Sequence, residues 1–216
     1  MAKILDISRP IREDMITWNG MPKPEFRDIK KIDSGDDVNN AWIGMDLHTG
    51  THVDAPSHHL SGGETIDETD LSKLIGKALV LEIEGDIITK ESIEEKSIPL
   101  GVKKILLKTR NSEMVEDAFN EKFVGLSKEG AEYLVKKGVQ LIGIDYLSVE
   151  SLSEAGKGAH GVLFSGKVVI LENLNLKDAN EGIYKLVVLP LNVEGYEAAP
   201  ARAVLIDKED GLESFG

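Results

Sequence analysis

The chain contains no cysteine. Disulfides, thiolate metal ligands and a cysteine nucleophile are therefore excluded, and the absence fits a reducing compartment. No apolar run approaches the ~18 residues that a membrane-spanning helix requires. The opening Met1-Ala-Lys-Ile-Leu-Asp6 lacks the apolar core of ~7–15 residues found in a signal peptide. Positive charge is also in short supply, with 25 Lys and Arg against 38 Asp and Glu, a formal net charge of −13. Nucleic acids and anionic membranes both need clustered Lys and Arg, so neither is expected as a partner. The acidic balance reads as a solvated surface, and the expected setting is the cytoplasm. P-loop, Rossmann glycine and Gly-x-Ser-x-Gly patterns are absent as well.

What remains is an ordinary soluble composition, 41% hydrophobic and 29% charged over 216 residues, with no internal repeat and no Ser/Gly-rich linker. A single domain spanning residues 1–216 is expected. Ile4 to Ile7 reads as a short first strand, followed by an irregular, Pro-containing stretch through Trp18 and Pro24. Further strands are expected at 78–83, 104–108, 139–144, 167–171, 185–189 and 203–206. Thr89 can cap a short helix to Lys96, and Ser127 a longer one from about Lys128 to Lys137, where Lys136-Lys137-Gly138 forms a typical end. The pattern predicts an α/β fold, a single domain with a mixed, barrel-like β-sheet core flanked by a few helices.

Four of the five histidines fall between residues 48 and 59, in Asp46-Leu-His-Thr-Gly-Thr-His-Val-Asp-Ala-Pro-Ser-His-His59. Imidazole nitrogens and a carboxylate oxygen are the ligands that zinc and similar ions take. At a period of two, His48, Gly50, His52 and Asp54 share one face of an extended chain, and glycine leaves the middle of that face empty. The segment is therefore read as a strand running into a loop that ends at His58. Two neutral nitrogens and one anionic oxygen leave positions open for water or another ligand, as catalytic metal sites do. Beyond Pro56 the period cannot be extended, so either His58 or His59 can be a further ligand or a proton carrier.

Other candidates stand apart. His160 lies in the Gly- and Ala-rich segment Ala155-Gly-Lys-Gly-Ala-His-Gly161, expected to be a loop, and Glu172 follows the apolar run Val168-Val-Ile-Leu171. With Asp54 they would make a second ligand set. Trp18 can be core packing or a flat wall for an aromatic substrate. Asp145, at a strand end, can support a histidine ligand or hold a turn.

The run His48-Thr-Gly-Thr-His52-Val-Asp54-Ala-Pro56-Ser-His58 resembles the His-x-Gly-Thr-His-x-Asp-x-Pro-x-His signature of the cyclase-like metal-dependent hydrolases, which include bacterial kynurenine formamidase and isatin hydrolase. Ser8-Arg-Pro-Ile11, Trp18, Leu141-Ile-Gly-Ile-Asp145, His160, Ile170-Leu-Glu-Asn173 and Pro200-Ala-Arg-Ala-Val204 extend the likeness over nearly the whole chain. By position, the resemblance implies that His48, His52 and Asp54 hold one metal. Asp54 would bridge to a second metal held by His160 and Glu172. His58 matches the proton donor and acceptor, and Trp18 a residue lining the substrate pocket. The family fold is an α/β domain around a barrel-like mixed sheet, assembled as a homodimer or higher homo-oligomer. One stretch departs: Asn19-Gly20-Met21-Pro22 follows Trp18, where kynurenine formamidases carry a Pro-Gly-Asp type of turn.

The implied activity is hydrolysis of a small-molecule amide by two divalent ions per subunit, zinc or alternatively manganese, with N-formylkynurenine as the first substrate and kynurenine and formate as products. The metals would activate water and polarise the carbonyl, and His58 would pass a proton to the leaving nitrogen. A cyclic amide of the isatin type is the alternative substrate. A coordinatively closed, non-catalytic metal protein is the third reading.

Overall fold

The computed structural model describes residues 3–114, 118–154 and 158–207. Ten strands and three α-helices are found among them: β1 (Ile4–Asp6), β2 (Glu25–Lys30), β3 (Asn40–Gly44), β4 (His52–Asp54), β5 (Ile75–Glu82), α1 (Lys90–Glu94), β6 (Lys104–Lys108), α2 (Lys128–Lys136), β7 (Leu141–Ile144), α3 (Ala159–Ser165), β8 (Val169–Glu172), β9 (Gly182–Pro190) and β10 (Ala198–Ile206). Eight strands form one sheet in the order β1-β10-β4-β8-β7-β6-β5-β9. Because β9 also pairs with β10, the seven strands from β10 to β9 close on themselves and β1 extends beyond the ring. The expected mixed, barrel-like α/β core is the architecture found.

Strands β5, β6, β7 and β8 run parallel, and α1, α2 and α3 make the crossovers between them. This explains why Ile105-Leu-Leu107, Leu141–Ile144 and Val169–Glu172 are buried throughout rather than alternately: a parallel strand covered on both faces has no solvent side. One apolar cluster, including Val53, Val80, Leu106, Leu171 and Leu205, fills the space within the ring. A second, including Leu79, Ile105, Ile142, Leu134 and Phe164, lies between the parallel strands and the helices. Local signals set the helix starts. Thr89 and Ser92 form a reciprocal capping box on α1, and the Ser127 hydroxyl accepts from the Gly130 N–H at 3.1 Å. No helix among the described residues is long and apolar enough to cross a membrane.

Three expectations change. The stretch 25–44, for which no element was expected, carries the antiparallel ribbon β2–β3, exposed along nearly its whole length. The segment around His160 is not a loop: His160 stands in the first turn of α3, while residues 155–157 lie outside the described residues. The period-two face from His48 to Asp54 also fails, because only His52–Asp54 is a strand. Gly50 adopts φ +68°, and the Asp46 carboxylate accepts the His48 N–H at 2.8 Å, so His48 sits in a turn before β4.

Candidate active site

Strand β4 lies between β10 and β8, with His52 directly opposite Glu172 on β8. Alternation along the strand sends Val53 into the core of the ring and places His52 and Asp54 together on the other face. The preceding turn brings His48 back to them. Asp54 Oδ1 lies 3.0 Å from His48 Nδ1 and 3.3 Å from His52 Nε2, and His52 Nε2 is 3.5 Å from Glu172 Oε2. His160 Nε2 is 3.3 Å from Glu172 Oε1. The candidates from two distant parts of the chain thus converge on one point.

The contacts converge without saturating. Among the described residues, neither Asp54 oxygen finds a hydrogen-bond partner, nor does His52 Nε2, although Asp54 and His52 are almost wholly buried. Buried polar atoms left without partners cost free energy unless something else satisfies them. A cation held among these lone pairs would do so, and the chemistry of the donor set fits one. The Gly50 carbonyl accepts from His52 Nδ1 at 2.9 Å, which leaves the Nε2 lone pair facing Asp54 and Glu172.

Among the described residues, two groups of ligand atoms each fall within 4.8 Å of one another, His48–Asp54–His58 and His52–Asp54–Glu172. Asp54 belongs to both, the place a bridging carboxylate takes. The grouping by distance otherwise differs from the one implied by the family likeness: His58 stands beside His48, and His160 joins neither triad, reaching the site through Glu172.

The imidazoles are tuned in opposite directions. Burial works against protonation of His52, but the Asp54 and Glu172 carboxylates outweigh it and raise its pKa to about 9. His160 is likewise lifted against burial by Glu150 and Glu172, to about 10. His48 moves up through Asp54 despite burial. Glu150 is held at about 2 by His160 and two backbone N–H groups, which overcome its burial, and His160 and His52 hold Glu172 below the usual carboxylate range in the same way. His58 and His59 move down, because desolvation dominates and each has histidine neighbours that add to it.

His58 ends a 3-10 turn begun by Pro56, and its ring centroid lies 4.4 Å from that of His48. His59 stacks on His160, with planes 2° apart and centroids separated by 4.5 Å. Together they border a cavity of about 460 Å3 that has Glu172 and Glu150 in its lining and Trp18, Met21 and Leu147 as its apolar part. Trp18 is partly core and partly cavity lining. It packs edge-on against Phe119 and Phe123, at 5.3 and 6.2 Å, and also faces the cavity.

The sequence model of the Cyclase family matches residues 5–151. A kynurenine formamidase from Bacillus anthracis is 32% identical over 205 residues, covering 94% of this chain and 97% of that one. Cyclase-like protein 3 of Oryza sativa subsp. japonica is 34% identical, over 95% of this chain and 80% of that one. This chain belongs to the cyclase family. Among solved structures, one described as a "Potential Metal-Dependent Hydrolase With Cyclase Activity" superposes with a TM-score of 0.86 at 37% identity, covering 97% of this chain and all of that one. An isatin hydrolase bound to thioisatinate gives a TM-score of 0.82 at 21% identity over 96% and 93% of the two chains, a likeness of fold.

Within that family frame, some of the site escapes the sequence. Glu150 and Glu197 line the cavity and approach ring nitrogens, Glu150 Oε2 at 2.6 Å from His160 Nδ1 and Glu197 Oε1 at 3.5 Å from His48 Nε2. Neither falls in a motif or a periodic face. Asp145 contacts none of the histidines. It is fully buried and accepts from the backbone N–H and hydroxyl of both Thr109 and Ser112, between 2.7 and 3.1 Å, so it pins the turn after β6.

Proposed function

We propose that this chain is a metal-dependent amide hydrolase, an arylformamidase that converts N-formylkynurenine to kynurenine and formate. The observation that carries the reading is the orphaned donor set of Asp54 and His52, buried beside a cavity in a chain that matches a kynurenine formamidase over almost its full length. His48, His52 and Asp54 would hold one divalent ion, and Asp54, His160 and Glu172 a second. Zinc suits these imidazole and carboxylate donors best and manganese is the alternative. Bound ions would supply Lewis acidity toward the formyl carbonyl and a water of lowered pKa. Asp54 and Glu172, both anionic, offset part of the charge of two dications.

The residues of the chain do the rest. His58, with a lowered pKa, is a free base at neutral pH and can take the proton of the attacking water. As the carbon–nitrogen bond breaks, the same ring returns that proton to the leaving aryl nitrogen. Formate and a free arylamine result. Trp18 and Leu147 offer the aryl group an apolar wall and keep water from that side.

A cyclic amide of the isatin type is the second reading, favoured by Met21. It lies in the stretch that departs from kynurenine formamidases, and it lines the cavity. Assembly as a homodimer or higher homo-oligomer belongs to the same proposal, supported by the exposed Phe26, Ile29, Trp42 and Ile43 of the β2–β3 ribbon. So does a cytoplasmic role in tryptophan catabolism.

The deciding experiment measures bound metal in purified protein, strips it with a chelator, and assays N-formylkynurenine and isatin side by side before and after Zn2+ or Mn2+ is restored. The expected result is metal-dependent release of formate from N-formylkynurenine. Absence of bound divalent ion, together with no hydrolysis after reloading, overturns the proposal.

A further inference from the structure

We propose that Glu150 is the positioning residue of His160: its carboxylate holds the proton on Nδ1 and aims the Nε2 lone pair into the site. The inference rests on the metal-dependent reading above and adds to it the group that makes His160 a competent ligand.

Glu150 lies in the buried stretch that follows β7. Its Oε1 accepts from the backbone N–H groups of Gly158 and Ala159, each at 2.8 Å, and its Oε2 lies 2.6 Å from His160 Nδ1. One carboxylate therefore grips both the backbone where α3 begins and the ring on its first turn. Gly158 makes this possible, since its φ of +100° turns two consecutive N–H groups toward a single oxygen. An ionised carboxylate can only accept, so the shared proton belongs to Nδ1. The opposite nitrogen, Nε2, faces Glu172 Oε1 at 3.3 Å, and it is the one that yields its proton and offers a lone pair when a metal enters.

The other two histidines of the site show the same division of labour with weaker partners. His52 has its outer nitrogen on a neutral carbonyl at 2.9 Å, and His48 has a half-exposed Glu197 at 3.5 Å. Of the three, His160 has a buried carboxylate in close contact with its outer nitrogen, Glu150 at 2.6 Å. His160 also stands on the first turn of a short helix, α3, rather than on a strand. Where a partner of this kind orients a ligating histidine, its loss typically lowers metal affinity by about 10–100-fold.

Glu150→Gln separates positioning from mere capping. Glutamine has a single acceptor oxygen, so it can cap Gly158 and Ala159 or accept from His160, not both. With its amide N–H groups turned to the ring, the imidazole proton moves to Nε2 and blocks ligation. The full-length chain is titrated with Zn2+ against a competing chelator, and a His160→Ala variant identifies the binding step that depends on His160. In Glu150→Gln that step is expected to weaken by about 10–100-fold, with the other step unchanged. Nitrogen-15 spectra of the zinc-loaded wild type are expected to show His160 protonated at Nδ1.

Wild-type affinity for both steps in Glu150→Gln, with only a lowered melting temperature, would reduce Glu150 to a structural cap and overturn the inference. Protonation of His160 at Nε2 in the loaded wild type would do the same, even if the variant does not fold. A wild type that binds no zinc fails the hydrolase reading itself, whereas a zinc-binding wild type beside an unaffected Glu150→Gln fails this inference alone.

Discussion

Asp54 and His58 show how one small site gives neighbouring groups different work. Asp54 is common to both ligand triads and fully buried, yet among the described residues neither oxygen is hydrogen-bonded, and imidazoles surround its charge. Leaving an ion in that state costs several kcal/mol in effective desolvation. His48 is 3.0 Å from that charge and holds its proton more firmly, whereas His58, one ring further out, is pushed toward the neutral form. A histidine that keeps its proton must lose it to bind metal; a neutral one is ready to accept a proton at pH 7. His58→Ala is therefore expected to lower kcat by ~10²–10⁴ with the metal content intact. Parallel measurement of kcat and of metal per chain checks this. Full activity removes the assigned role, and joint loss of metal and turnover would make His58 a ligand, as its place in the first triad allows.

Elements deliver these side chains, and their packing leaves little slack. A Cβ added at Gly125 would fall 2.2 Å from the Ser151 backbone nitrogen and 2.9 Å from the Glu150 carbonyl carbon, so no flexible side chain can move aside. Gly125→Ala is expected to exceed the ~1–3 kcal/mol of ordinary overpacking. Because it displaces the backbone bearing Glu150, it should also weaken zinc binding at His160; urea unfolding and a zinc titration of the same variant test both effects. At this scale the sequence was legible where signals were local and strong. Ser127 capped α2 as expected, and the apolar runs of β6 and β7 are buried strands. It was illegible where tertiary context decides. α3 is seven residues long, follows Gly158 and contains Gly161, so its helicity comes from burying Leu163 and Phe164 rather than from propensity. The β2–β3 ribbon buries neither face and so lacks a period-two pattern to detect. The same division holds at the site: the motif from His48 to His58 is contiguous and could be read, but Glu150 reaches His160 only because the chain after β7 folds back on the start of α3.

For the molecule as a whole, the site couples stability to pH and to metal. In the metal-free chain His52 and His160 titrate at about 9 and about 10, against 6.5 for an unperturbed histidine. Raised values mean that folding is favoured by their protonation; this contribution is complete below 6.5 and is lost as pH climbs through 9 and 10. Glu150 and Glu172 are lowered from 4.5, so theirs is complete above 4.5 and is lost as pH falls, for Glu150 toward about 2. The cluster therefore supports the metal-free fold most between 4.5 and 6.5. Metal acts in the opposite sense, because ligating imidazoles must be neutral and binding must expel their protons. Affinity then rises with pH, and so does the stabilisation that a ligand of the folded state confers. Melting temperatures measured from pH 6 to 9 should fall for chelated protein and hold or rise for zinc-loaded protein, so that the two curves diverge with increasing pH. Calorimetry at pH 7 in buffers of different ionisation enthalpy should find about two protons released from His52 and His160 as the site fills, plus whatever fraction His48 carries. Parallel melting curves, or binding without proton release, would mean that His52 and His160 are not the groups that metal displaces protons from.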